Sequence, residues 1–330
     1  MTELMPGVHR LKLPLPINDP IVQDVNVYLF RGDNGYLMVD AGWNTEEAYA
    51  SLNKQLTECG IDIKDISRIV VTHVHPDHYG LVGRIKEISH ARFLLHRLEK
   101  DLIESRYVSM DALLQRTGKW LYSSGISAKY LPELQHASVG MVKFVVPIYP
   151  DVILHGNETI STGKHNFRVY WSPGHSSGHI CLYEPAKKLL LSGDHILPII
   201  TPNVGFHPQS SKNPLKEYVS SLKELRELDI NLVLPGHEDP FTGIKSRIDG
   251  IIRHHRRRRL AILAVLASEQ ITAYHIAREI LWQSKTDWQN LPAFHKRLAL
   301  AEVLGHLELM RMEGRIIKYS KNGIMYYRKS

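Results

Sequence analysis

The feature that most constrains this chain is the segment Val71-Thr72-His73-Val74-His75-Pro76-Asp77-His78, which continues the apolar run Ile69-Val70-Val71. Three imidazoles and a carboxylate at the end of a buried strand require a fold that gathers polar ligands at strand ends. In an extended chain His73 and His75 point to the same side, because side chains alternate with period two, so both rings can meet one metal ion. Pro76 stops the strand and turns the chain. Asp77 and His78 then lie beyond the strand end, displaced enough to serve a second ion beside the first. The competing reading, a solvated polar loop, loses weight because partners of the same chemistry recur downstream.

Each partner sits in a loop that follows a strand-like run. His175 lies in Ser172-Pro173-Gly174-His175-Ser176-Ser177-Gly178-His179, after a run ending at Trp171. Asp194 follows Leu189-Leu190-Leu191-Ser192-Gly193, and His237 follows Leu232-Val233-Leu234-Pro235-Gly236. The shared order is apolar strand, glycine, ligand, and glycine lets the backbone approach a crowded centre where a Cβ would clash. His179 stands four residues after His175, but the surrounding glycines and serines argue against a helical metal pair, so it reads as a support for a ligand or as structural. A set of this composition suits two Zn²⁺, Fe or Mn ions, with a position left for water.

Around these motifs, short β-branched runs alternate with amphipathic segments, as in α/β architectures. Strands are expected at 26–30, 36–40, 68–72, 92–95, 167–171, 180–184, 188–192 and 231–234, and helices at 45–59, 79–89 and 215–228. Residues 96–150 form a Leu, Tyr and Met-rich insertion, helical at 98–107 and 110–122, and read as a wall of the pocket. From Ile244 a long helix carries His254-His255-Arg256-Arg257-Arg258-Arg259. Helices at 260–268, 273–283 and 293–313 follow, then runs at 315–319 and 324–328 around Asn322-Gly323, a strong hairpin signal. The chain thus divides into a catalytic domain, 1–245, and a small winged-helix-like domain, 246–330.

At 330 residues, with 43% hydrophobic and 23% charged residues, the chain has the composition of an ordinary globular protein with material for one large and one small domain. No apolar run approaches the roughly 18 residues of a membrane span, and the N-terminus lacks the pattern of a signal peptide. A cytoplasmic protein without membrane partners is expected, and Cys59 and Cys181 show no metal or redox spacing. The net charge of +7 is concentrated in residues 251–330, which hold 15 Lys/Arg against 6 Asp/Glu, whereas the remainder holds 26 against 28. Such an arginine run is commonly a solvated helix face, yet it also fits a nucleic-acid contact.

These residues closely resemble the metallo-β-lactamase superfamily. Its pattern of an early Asp, His-x-His-x-Asp-His, a lone His, an Asp and a final His is met here by Asp40, His73, His75, Asp77, His78, His175, Asp194 and His237, over about residues 8–242. The resemblance implies a four-layer αβ/βα sandwich with the site along one edge and a small C-terminal winged-helix domain. It also implies that His73, His75 and His175 hold a first metal, Asp77, His78 and His237 a second, and that Asp194 bridges them. The complete set looks more like the hydroxyacylglutathione hydrolase, lactonase and phosphodiesterase branches than true β-lactamases, which argues against a β-lactam substrate. The tail resembles the winged-helix appendage of one branch, which includes an endoribonuclease as well as thioesterases.

The expected activity is hydrolysis of an ester, thioester or lactone in a small acyl substrate, with water activated by two divalent ions, zinc first. Asp77 is the catalytic candidate, orienting the nucleophile and passing a proton to the leaving group. Asp40 reads either as the partner of a ligand histidine or as a turn residue. Tyr79, Phe206 and His207 read as pocket lining or as packing, and the loop at 198–212 should border the mouth of the site. The alternative activity is cleavage of single-stranded RNA held by the basic tail. A homodimer is expected from base rates.

Overall fold

Alternation within the strands assigns each sheet face to a different layer. In the computed structural model, which describes residues 1–16, 22–266, 270–282 and 288–330, β1 (Thr2–Met5), β2 (Val8–Pro14), β3 (Asp24–Gly32), β4 (Gly35–Val39), β5 (Ile66–Val70), β6 (Arg92–His96) and β7 (Val152–Leu154) lie side by side in chain order. A second sheet has the order β12 (Leu232–Pro235), β11 (Leu189–Gly193), β10 (Ile180–Glu184), β9 (Asn166–Trp171), β8 (Thr159–Ser161). Val25, Val27 and Leu29 of β3 face outward onto Leu52 and Leu56 of helix Glu46–Glu58. Tyr28 and Phe30 face inward, onto Phe167, Val169 and Leu182 of the second sheet. That sheet's far face, with Cys181, Leu190 and Val233, packs on helices Pro214–Arg226 and Ile244–Val265.

The layers therefore run helix, sheet, sheet, helix. Burying a large apolar side chain contributes roughly 1.5–3 kcal/mol, and a one-residue slip in β3 would exchange its two buried faces, so register is firmly set. Direction then places the functional loops. Strands β4, β5 and β6 are mutually parallel, β11 and β12 are parallel, and β9 runs with β11 because both are antiparallel to β10. In parallel sheets the loops at carboxyl ends are where ligands collect.

The expected strands are all present, with ends shifted by a few residues, while β1, β2, β7 and β8 carried no clear sequence signal. The helix expected at 79–89 is two helices, Pro76–Tyr79 and Val82–Ser89. Gly80 lies between them, where an added Cβ would stand 2.6 Å from the Pro76 carbonyl oxygen and 2.7 Å from the Asn44 nitrogen. The separate helix expected at 260–268 is instead the end of Ile244–Val265, because Ile251, His255, Arg258 and Ile262 keep one buried stripe through the arginine run. The helix expected at 273–283 ends at Glu279. Residues 267–268 and 283, at the ends of two expected helices, lie outside the described residues.

The C-terminal strands β13 (Ile271–Thr272), β14 (Ile316–Lys321) and β15 (Ile324–Lys329) form a sheet of order β13-β15-β14 beside helices Ala273–Glu279 and Ala293–Met312. Asn322 and Gly323, at φ 52° and 77°, make the two-residue turn that the hairpin signal predicts. Leu121, Ile126 and Leu134 from the 96–150 segment share a core with Leu300, Val303 and Leu307 of helix Ala293–Met312. The same helix braces the loop at 198–212: the Phe206 N–H donates to the Ala301 carbonyl at 2.9 Å. Among the described residues no helix is long and apolar enough to cross a membrane.

Candidate metal centre

Loops after β4, β5, β9, β11 and β12 bring together all the ligand candidates. Strand β5 stops at Val70, two residues before the expected end. His73 and His75 thus lie in the loop beyond it rather than on an extended strand, and their convergence comes from the loop's shape. His75 Nδ1 stands 2.8 Å from His73 Nε2 and 3.0 Å from His175 Nε2. Pro76 does more than end a strand: it starts helix Pro76–Tyr79, whose first turn carries Asp77 and His78. His237 Nε2 is 3.2 Å from Asp77 Oδ2, and Asp77, His78 and His237 form a second cluster with ligand atoms within 4.8 Å of one another.

Asp194 stands between the two groups. Its Oδ2 lies 3.7 Å from His175 Nε2 and 3.5 Å from His237 Nε2, and its Oδ1 lies 3.4 Å from His78 Nε2. Glycine permits this crowding. A Cβ on Gly236 would fall 2.5 Å from Asp194 Oδ1 and 2.8 Å from His78 Cε1.

The ring nitrogens turned away from the centre are held by oxygen. His78 Nδ1 meets Asp40 Oδ2 at 2.8 Å, His175 Nδ1 the Asn203 carbonyl at 2.9 Å, and His237 Nδ1 the Asp24 carbonyl at 2.8 Å. An acceptor there fixes Nδ1 as a donor and turns Nε2 inward, the atom a cation takes once any proton on it has left. His73 Nδ1 lies 3.1 Å from Thr72 Oγ1, which itself donates to Asp40. Asp40 fulfils both readings of its role, since it sits at φ 62° in the turn after β4 and holds His78 as well as the Thr72 N–H. His179 is a support: its Nε2 accepts the Asp194 N–H at 3.1 Å, and its Nδ1 meets Ser172 Oγ.

Electrostatics divides the centre. Burial and the neighbouring imidazoles push His73 well below the usual histidine range, and burial with His175 and Arg106 does the same to His75. Burial opposes charge on His78 and His237 too, but Asp40, Asp194 and Asp77 lift His78 well above its ordinary value, and Asp194 and Asp77 lift His237 to about 10. Two polar atoms in this acidic half, His78 Nε2 and Asp194 Oδ1, are buried without hydrogen-bond partners. Buried polar atoms are almost always partnered, and nitrogen and oxygen lone pairs converging at this spacing fit divalent cations.

The sequence reading missed Glu99. This fully buried carboxylate accepts from the Val74 N–H at 2.8 Å, the Gly178 N–H at 2.7 Å and Ser176 Oγ, so it ties the His73–His75 loop to the His175 loop. It follows β6, which runs parallel to β5, and a carboxylate three residues after such a strand was the available signal. Tyr107, from the same segment, donates to the Val74 carbonyl. Of the residues weighed between lining and packing, Tyr79 is core, with its hydroxyl on Ile148, and Phe206 packs against the C-terminal core. His207 lines a recess beside His175.

Comparison with known proteins identifies the fold. A metallo-beta-lactamase family protein from Thermus thermophilus, TTHA1429, superposes with a TM-score of 0.84 at 28% identity, covering 99% of this chain and 100% of that one. The probable metallo-hydrolase YqjP of Bacillus subtilis is 27% identical over 97% of both chains. Acyl-coenzyme A thioesterase MBLAC2 of Gallus gallus is 28% identical over 66% of this chain and 73% of its own length. Residues 21–237 match the family description Metallo-beta-lactamase superfamily. A match over most of the chain, on the fold and ligand geometry described above, places it in a known group: the protein belongs to the metallo-beta-lactamase superfamily.

Proposed function

We propose that this protein is a metal-dependent hydrolase with a dinuclear centre that cleaves an ester, thioester or lactone bond. The observation that carries the reading is the convergence of His73, His75 and His175 on one side of Asp194, and of Asp77, His78 and His237 on the other. In this reading the first three hold one ion, the second three another, and Asp194 serves both. Zinc is the proposed metal, since nitrogen and carboxylate donors in this number suit it. Divalent ions held there supply Lewis acidity and lower the pKa of water towards neutrality.

The protein's own residues orient and move the proton. Asp77 is the more open of the two central carboxylates, with its side chain 19% exposed against 11% for Asp194. Burial opposes its ionisation, but His78 and His237 hold its carboxyl below the ordinary range. It takes the proton of the attacking water and passes it to the leaving oxygen or sulfur. Asp40 and Glu99 contribute by fixing His78 and the ligand loops before substrate arrives.

Thioesters are the leading class within this reading, because the thioesterase relative is 28% identical over 66% of the chain. We take the C-terminal unit to be winged-helix-like and to support the site loops. RNA cleavage is the weaker reading, since Arg258 and Arg259 of the arginine run are committed to Glu302 at 2.8 Å and Glu313 at 2.9 Å. A panel of chromogenic esters, thioesters and lactones beside a labelled single-stranded RNA, with and without chelator, tests the proposal. Chelator-sensitive turnover of an acyl substrate is expected. Cleavage of RNA alone, falling steeply with salt, would overturn it.

A further inference from the structure

Beside the metal centre lies a second constellation, a narrow recess that shares the His175 loop with it and is otherwise built from the 96–150 segment, the loop at 198–212 and the start of helix Pro214–Arg226. Its lining includes Arg106, Ser177, His207, Gln209, Ser210 and Ser211, and contains no aspartate or glutamate. Arg106 makes no ion pair among the described residues. Its Nε donates to Gln209 Oε1 at 3.3 Å and its Nη1 to the Val74 carbonyl at 3.4 Å, both long for a guanidinium. Arg258, by contrast, has Glu302 at 2.8 Å.

Arg297 stands close behind. It too lacks an acidic partner among the described residues, and its Nη1 reaches only the Leu134 carbonyl, at 3.5 Å. Burial above all, with the nearby Arg106, pulls its guanidinium down to about 10. His207 is pushed down to about 3 by burial and by Arg106 and Arg297, so it is neutral. Its Nδ1 accepts the Gln209 N–H at 3.3 Å, which leaves Nε2 as a donor.

A further feature points to an absent acceptor. Ser211 Oγ is buried with no hydrogen-bond partner, although a buried hydroxyl is normally satisfied. Pro214, the first residue of helix Pro214–Arg226, also lines the recess. We propose that this recess takes a small oxyanionic group of the substrate, a carboxylate in the first place, held by Arg106 with Ser211 and His207 as further donors and Arg297 as the supporting charge. A guanidinium binds a carboxylate through two parallel hydrogen bonds. As a statement about substrate this rests on the hydrolase reading. It narrows the class to esters or thioesters that carry an acid group near the scissile bond, since His175 borders both places.

The test is made on the full-length, metal-loaded protein by calorimetric titration with glutarate, inorganic phosphate and neutral glutaramide, for the wild type, Arg106→Gln, Arg106→Lys and Arg297→Gln, each checked for native melting. Glutarate binding should weaken about tenfold or more in Arg106→Gln, the range for a lost charged hydrogen bond. Arg106→Lys should recover part of it, Arg297→Gln should show a smaller loss, and glutaramide should not compete. Phosphate bound more tightly than glutarate, with the same Arg106 dependence, would support the oxyanion site and assign it to a phosphate-bearing substrate. Equal binding by wild type and Arg106→Gln, or by glutaramide and glutarate, would overturn it.

The ratio of kcat/KM for a glutaryl thioester to that for its methyl-capped, neutral analogue gives the second readout, and it too should fall about tenfold in Arg106→Gln. The two ideas fail separately. Arg106-dependent glutarate binding without turnover of either thioester or of any ester or lactone of the panel would sink the proposed reaction and leave the anion site standing. Turnover of both at equal efficiency, with binding indifferent to Arg106, would do the reverse.

Discussion

Replacing Glu99 by alanine should damage the metal centre without touching a single ligand. The carboxylate is fully buried and accepts from the Val74 N–H at 2.8 Å, the Gly178 N–H at 2.7 Å and the hydroxyl of Ser176. Its removal leaves two backbone N–H groups without acceptors in a site shut off from solvent, and each such group costs about 1–3 kcal/mol. The Ser176 hydroxyl can rotate to another partner, so the loss is about 2–6 kcal/mol, with the low end reached if water enters the vacated space. Val74 sits between His73 and His75, and Gly178 closes the loop that carries His175, so the slackened segments are those bearing the first ligand cluster. Loss of a group that orients ligands lowers metal affinity by about 10–100-fold. Glu99→Gln should fall between, because its amide nitrogen must face one of the donors. Urea unfolding of the chelated protein reads the stability change, and competition with a chromophoric chelator reads the affinity. A Glu99→Ala protein within about 0.5 kcal/mol of wild type and with unchanged metal affinity would refute the claim that this carboxylate holds the two loops together.

Other consequences can be measured directly. Gly236→Ala would place a methyl group 2.5 Å from Asp194 Oδ1 and 2.8 Å from His78 Cε1, so it should lower metal affinity by at least about tenfold while the rest of the fold persists; unchanged affinity would contradict the close packing of that loop. Because carboxylates raise His237 to about 10 and His78 above its ordinary value, filling the second cluster at pH 7 should expel at least one proton. Calorimetry in buffers of different ionisation enthalpy would show it, and a buffer-independent heat would count against this electrostatic arrangement. In the C-terminal unit, burial with His254 and Arg258 holds His255 down to about 3, against an unfolded value near 6.5. Its neutral burial therefore stabilises the fold above about pH 6.5 and is progressively lost as the pH falls, amounting to roughly 2 kcal/mol near pH 5. Melting temperatures of the wild type and His255→Phe should converge or cross on acidification; parallel curves would show that His255 does not titrate with unfolding.

Much of the site was legible because strand direction converts sequence order into space. Once an apolar run is a strand in a parallel arrangement, the residue after it belongs at one edge, and Asp40, His73, Asp194 and His237 all obey this. The detail of the central motif was not legible. The expected extended placement of His73 and His75 gave way to a loop, since Asp40 caps Thr72 and turns the chain two residues early. Glu99 left only its place after β6 as a signal, because two of its three partners are backbone amides, which no side-chain pattern records. The merged helix Ile244–Val265 shows the same limit from the other direction. Arginines read as a solvated face, yet Arg258 lies in the buried stripe because Glu302 and the Leu281 carbonyl meet it there.

If Asp194 joins the two clusters into a two-ion cage, anomalous scattering will show it in crystals grown from protein saturated with zinc and then freed of excess ion. Two peaks are expected, one among His73, His75 and His175 and one among Asp77, His78 and His237, with Asp194 reaching both. A fully occupied single site, or ions bound anywhere other than these side chains, would contradict it.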